Sequence, residues 1–219
     1  MAIAQDRVSN SGSQTTTPFT WNHVVNTIGG NFLLIVGVSL FNGASSTQAT
    51  ADAVTYNGVS MVQVRKDQLV VGSRSVESSI WFLKAPASGT NVVSVSASNF
   101  TNAVGGAVSY NNAQQSNAAD AVNGKTGTIT GGTSPNTFNV TTIANNCWVF
   151  CVAVDAGTGG FIITGSNIEL WNIRSQNAQG GGEDTNAPIT PAGVTAIGWN
   201  FGIPGTLEFG WAESGASFA

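Results

Sequence analysis

The chain holds one histidine, two cysteines and eleven Asp plus Glu residues among its 219, and the spacing of these groups limits the chemistry open to it. His23 is the sole histidine, so a metal site needing two imidazoles cannot form within one chain. A Ser-His-Asp triad would also have to use it, yet no nucleophile-elbow motif lies near Trp21 to Val25. His23 is expected to be a half-exposed strand residue. Carboxylate pairs on neighbouring strands can hydrolyse glycosides, and Glu169 and Glu208 both fall on predicted strands. Neither belongs to a Glu-x-Asp-x-x-Glu pattern. No catalytic residue is assigned, and the chain is not expected to be an enzyme.

Cys147 and Cys151 lie in the apolar run Cys147 to Val154. In an extended strand they share one face about 13 Å apart, beyond the ~7 Å reach of a disulfide. Free, buried thiols are expected, which fits synthesis in a reducing cytosol. Calcium wants several hard oxygen ligands. Glu183 with Asp184, or Asp155 near Gly157, could only begin such a set, and they read as solvated turn carboxylates. Gly131-Gly132 and Gly159-Gly160 lack the lysine and helix of a phosphate loop and are assigned to turns. No metal or cofactor is expected.

Six tryptophans against two tyrosines raise a different chemistry, because flat indoles can stack on sugar faces while amides and hydroxyls bind the sugar hydroxyls. Trp171 and Trp211 have the more polar neighbours and are the candidate glycan contacts. Trp148 faces away from both cysteines in a run that is apolar on either side, as in a central, covered strand.

Charged residues make up 8% of the chain, against about a quarter in ordinary soluble domains, while 42% is hydrophobic. A neutral surface rich in amides and hydroxyls can lie against a protein or a sugar without desolvating many charges. With seven scattered Lys plus Arg and a formal charge of -4, no nucleic-acid footprint is present. The longest apolar run, Phe32 to Val38, is too short to span a bilayer as a helix. Met1 to Asn10 lacks the pattern of a secretory leader. Neither nucleic acid nor membrane is an expected partner.

The elements that must position these residues are strands. Short β-branched and aromatic runs recur between Gly, Asn, Ser and Pro clusters, with almost no helical period. The clearest are Phe32 to Phe41, Ala53 to Tyr56, Val59 to Val64, Ser78 to Lys84, Asn91 to Ala97, Ala103 to Tyr110, Thr137 to Ile143, Cys147 to Asp155, Ile168 to Arg174, Val194 to Phe201 and Thr206 to Ala212. Asn57-Gly58 suits a type I′ hairpin turn. Three stretches echo one another at a spacing of about 115 residues, too long for a solenoid repeat. Thr27-Ile28 with Asn31 matches Thr142-Ile143 with Asn146; Val64-Arg65 matches Ile173-Arg174; Trp81, Pro86 and Gly89-Thr90 match Trp199, Pro204 and Gly205-Thr206. The expected fold is all-β, a two-sheet antiparallel β-sandwich, jelly-roll-like, with two weakly similar halves. Residues 1–17 form an N-terminal arm or first strand. The halves cover about 18–112 and 133–219 around a central loop, 113–132, in which Ala118 to Val122 could make one helical turn. Gly180-Gly181-Gly182 with Glu183-Asp184 reads as a second flexible loop.

Val54-Thr55-Tyr56-Asn57-Gly58-Val59-Ser60-Met61, Ser79-Ile80-Trp81-Phe82-Leu83, Pro86-Ala87-Ser88-Gly89-Thr90 and Ala107-Val108-Ser109-Tyr110-Asn111-Asn112-Ala113 followed by Asp120-Ala121 carry a resemblance. The chain resembles a recurrent β-sandwich domain of bacteriophage virion proteins and bacterial surface proteins, over roughly Trp21 to Ala212. The resemblance implies a non-enzymatic module for adhesion or assembly and carries over no catalytic residue. With no leader recognised, the expected protein is a virion component made in the host cytoplasm: a capsid decoration (cement) subunit or a small tail or fibre component. The expected partners are copies of itself and other virion proteins, met through the arm Met1 to Thr17 and the segment Asn111 to Gly132. The alternatives are a carbohydrate-binding or adhesive module meeting a cell-surface glycan, and a self-assembling extracellular filament subunit.

Overall fold

The computed structural model describes residues 3–116, 118–157, 164–165, 167–175 and 178–219. Along them run β1 (Ala4–Gln14), β2 (Phe19–Val25), β3 (Leu33–Asn42), β4 (Thr50–Tyr56), β5 (Val59–Ser60), β6 (Val62–Val71), β7 (Arg74–Lys84), β8 (Gly89–Ser98) and β9 (Asn102–Asn111). Then follow β10 (Ala119–Pro135), β11 (Phe138–Thr141), β12 (Trp148–Asp155), β13 (Thr164–Gly165), β14 (Ile168–Ser175), β15 (Ala178–Asp184), β16 (Val194–Ile197) and β17 (Trp199–Phe218). Pairing between these strands is antiparallel throughout. The fold is all-β.

The sheets form four layers. An outer sheet in the order β2-β8-β4-β5 covers an inner sheet, β1-β9-β3-β7-β6; a second inner sheet, β10-β17-β12-β15-β14 with β13 beside β17, is covered by the pair β11-β16. The all-β, antiparallel sandwich expectation holds, with four sheets where two were expected, and the two inner sheets face each other. Side chains alternate across a strand, and β3 shows why both its faces are apolar. Leu34, Val36, Val38 and Leu40 fill the core beneath the outer sheet, whereas Leu33 and Ile35 meet Trp148, Phe150 and Val152 of β12. In β12 the opposite face, Val149, Cys151 and Ala153, fills the second outer core with Trp199 and Phe201. Each fully buried large aliphatic side chain stabilises the fold by about 1.5–3 kcal/mol.

Strand order shows that the halves are duplicates. β1, β9, β3, β7 and β6 take the same places as β10, β17, β12, β15 and β14. Irregularities coincide too. Bulges fall at Asp6 in β1 and Asp120 in β10, and again at Val64 in β6 and Leu170 in β14. Gly37 and Val152 hold equivalent places in β3 and β12 and touch: a Cβ on Gly37 would lie 3.0 Å from Val152 Cβ. Equivalent positions meet only where an approximate two-fold axis passes, and two valines would not fit there.

Several expectations change. Of the two readings of residues 1–17, arm or first strand, the strand is formed, as β1; most of the segment expected as a central loop forms β10, with strand from Ala119 where a helical turn was expected at Ala118 to Val122. Gly131 and Gly132 lie within β10, while Gly159-Gly160 falls outside the described residues. Gly180-Gly181-Gly182 is not a loop but the middle of β15, a buried strand. A Cβ on Gly181 would lie 2.8 Å from Trp199, one on Gly180 2.8 Å from Val104, and one on Gly182 would enter the Trp171 indole. Three glycines let the strand pass between bulky layers. Of the sequence echoes, the Asn31 and Asn146 pair holds. β6 and β14 correspond, but register sets Arg65 opposite Ile80 and Trp171 opposite Gly182, so Arg65 matches Trp171 rather than Arg174. Trp81 lies on β7, the counterpart of β15, and does not match Trp199.

Candidate functional site

Two equivalent loops, 26–32 and 142–147, stand before β3 and β12 at one end of the molecule. Each hangs from the carboxylate of a bulged strand residue. Asp6 Oδ2 accepts from the Asn26 amide (3.0 Å) and from Ser109 Oγ (2.8 Å). Asp120 Oδ2 accepts from the Ile143 amide (2.6 Å) and from Ser217 Oγ (3.2 Å). A bulge turns the extra side chain out of the regular pleat, which aims each carboxylate at its loop. Both loops return through an asparagine with left-handed backbone, Asn31 at φ 55° and Asn146 at φ 63°. Asn tolerates that conformation better than other residues with a Cβ. At the loop tips Ile28 is 83% and Ile143 75% exposed.

A cleft of about 530 Å³ opens at this end, lined by amide side chains including Asn31, Asn112, Gln114, Asn145 and Asn146. No Asp, Glu, Lys, Arg or His side chain lines it among the described residues. Its walls are knitted by main-chain bonds: the Ala113 amide donates to Asn31 O (2.9 Å), the Asn112 amide to Gly30 O (3.0 Å), and the Asn146 amide to Ile189 O (2.9 Å). In the sequence Asn31 and Asn146 stand out only as an echo of one another. Their equivalence was the available sign that they share a place.

The expected glycan contacts lie elsewhere and are buried. Trp171 and Trp211 are each 3% exposed, so neither offers a face to a sugar. Trp171 is roofed by the first half, which leaves Gly106 over its indole, and it packs on Phe150 at 5.8 Å between ring centroids. Trp211 stacks on Phe201 at 5.3 Å, with the Lys125 ammonium 5.7 Å from its ring. Polar sequence neighbours misled because the covering surface comes from distant strands.

Among the described residues the two candidate carboxylates, Glu169 and Glu208, are not brought together. Glu169 and Glu208 are exposed, on β14 and β17, which β15 and β12 separate. His23 is fully buried rather than half-exposed; burial lowers its pKa to about 4 despite Asp6, and its Nδ1 lies 2.8 Å from Ser9 Oγ. Both cysteines are free and buried. Burial and the neighbouring Asp120 push the Cys147 thiol up to about 12, and burial with Glu213 and Glu183 raises Cys151 further from reactivity.

Sequence reading missed the interior acids. Glu183 and Asp184 are buried in β15 instead of solvated, and Glu213 is buried in β17. Glu183 Oε1 accepts from the Gly198 amide (2.7 Å) and Glu213 Oε1 from the Trp199 amide (2.8 Å). The pair pins the link between β16 and β17, where Gly198 has φ 130°. Burial raises the pKa of Glu213 well above the ordinary range, with Glu183 adding to it; burial likewise raises Asp155. An acid within the small-residue run Ala212 to Ala216 is the signal present in the sequence. Among the described residues no group of three His, Cys, Asp or Glu side chains could hold a metal ion. No protein-family model, curated protein or solved structure matches this chain.

Proposed function

We propose that this chain is a non-enzymatic structural subunit of a bacteriophage virion, a capsid decoration subunit or a small tail or fibre component, working by assembly with other copies and other virion proteins. The observation that carries the reading is the matched pair of apolar loop tips, Ile28 and Ile143, held at one end by the Asp6 and Asp120 clamps. Single exposed apolar residues are ordinary on a protein surface. Two at equivalent places, on loops that hydrogen bonds hold in shape, form a contact surface with little ordering left to do on binding. The low overall charge supports the same reading, since little of such a surface needs costly desolvation. The sequence resemblance to β-sandwich domains of bacteriophage virion proteins and bacterial surface proteins is compatible with it.

The arm and the segment Asn111 to Gly132, first expected to make subunit contacts, are largely paired within the chain as β1 and β10. Subunit contacts fall instead to the loop end. With Trp171 and Trp211 buried, a glycan module built on those indoles ranks below assembly. Proteomics of purified phage particles from the source tests the reading: the chain is expected at a fixed stoichiometry to the other virion proteins, and its absence from the particles would overturn it.

A further inference from the structure

We infer that the cleft between the two loops is a binding site for a neutral oligosaccharide. The lining carries the chemistry for it. A side-chain amide offers both a donor and an acceptor, the combination that vicinal hydroxyls on one sugar residue require. Asn145 Oδ1 accepts from the Ala192 amide (2.7 Å) and Asn146 Oδ1 from Thr190 Oγ1 (2.8 Å). These bonds fix both amide planes and leave their NH2 groups as oriented donors. The Asn31 side chain is exposed and makes no hydrogen bond among the described residues. It can both give and receive.

The lining also excludes other ligands. Among the described residues no Asp, Glu, Lys, Arg or His side chain lines the cleft, so an anionic ligand would lose hydration without gaining a cationic partner. An extended peptide would pair through main-chain groups, but the Asn31 carbonyl and the amides of Asn112, Ala113 and Asn146 are already engaged in the loop framework. Because Asn31 and Asn146 are related by the approximate two-fold, the cleft presents similar groups from opposite walls, which suits a ligand of repeating units. No aromatic ring lines it among the described residues. Affinity therefore rests mainly on hydrogen bonds, is weak at a single site, and becomes useful when many copies are displayed together.

This inference does not depend on the virion reading, because sugar binding by the purified chain is measured without reference to where the chain resides. The test is an NMR titration of the isotope-labelled chain with maltotetraose, chitotetraose, a galactotetraose and a rhamnotetraose, with glucuronate, glucosamine and a tetra-alanine peptide in parallel. At least one neutral sugar is expected to shift the side-chain amide signals of Asn31, Asn145 and Asn146 with millimolar affinity. Replacing Asn31→Gly and Asn146→Gly keeps the left-handed backbone allowed and is expected to weaken that sugar roughly tenfold or more through the lost hydrogen bonds. The melting temperature confirms that the variant folds, and Gln114→Ala gives an independent reduction without touching a left-handed residue. No cleft shift with any neutral sugar, shifts confined to other surfaces, or stronger binding of the charged sugars or the peptide would overturn the inference.

Discussion

The Tyr110 hydroxyl donates a 2.7 Å hydrogen bond to Asp184 Oδ2 across the two inner sheets, at the place where the related half sets Phe218 against Phe82, ring centroids 6.1 Å apart. One duplicated contact is thus polar in one copy and aromatic in the other. Tyr110→Phe is expected to cost about 1–3 kcal/mol, because it strips a partner from a buried carboxylate. Adding Asp184→Asn should recover part of that loss, since the neutral amide leaves no charge unpaired and its oxygen can still accept from the Asn186 amide. Urea unfolding of the two single variants and the double closes the cycle.

Stability should fall on the alkaline side. Asp155 and Glu213 have folded pKa values raised by burial, so above about pH 4, the ordinary carboxyl range, the folded chain holds more protons than the unfolded one. Their contribution is complete below that range and is lost as pH rises through the folded values. His23 acts oppositely: its pKa falls from 6.5 to about 4, so the stability it permits above 6.5 is lost as pH drops toward 4. A higher urea midpoint near pH 6 than near pH 9 is expected. His23→Gln should flatten the acid limb and leave the alkaline limb unchanged.

Gly181→Ala should destabilise by about 1–3 kcal/mol through overpacking, because its Cβ would meet Trp199 at 2.8 Å. Gly30→Ala, with nothing within 4 Å of the added carbon, should stay within about 0.5 kcal/mol of the parent. Thermal unfolding of both variants separates a packed strand from the flexible loop first expected at Gly180 to Gly182.

Much of the fold was legible because its signals are local. Alternation marked the strands, Asn57-Gly58 marked a hairpin whose residues have φ 50° and 76°, and four-residue spacing on a strand kept Cys147 and Cys151 apart. Asn31 and Asn146 exposed the duplication. The rest depended on distant surfaces. Trp171 is buried because the other half covers it, and the glycine run of β15 is a strand because Trp199, Trp171 and Val104 stand over it. Asn31 and Asn146 become one cleft only when β3 and β12 start at the same end.

Both thiols should resist a disulfide reagent in the native state, since each is buried and its pKa is raised. Two equivalents should react in denaturant. Fast labelling of either thiol in the folded chain would contradict its placement in the core.

Ile28→Ser with Ile143→Ser should leave the melting temperature within a few degrees, as both side chains are exposed, while abolishing binding to particles that lack the native chain. Retained particle binding by this variant would move the contact surface away from the loops.

Cryo-electron microscopy of native particles from the source tests the assembly reading most directly. The expected map places this chain on the virion with loops 26–32 and 142–147 against a neighbouring subunit. Finding the chain only on cells or in pilus-like fibres, and never on virions, would contradict it.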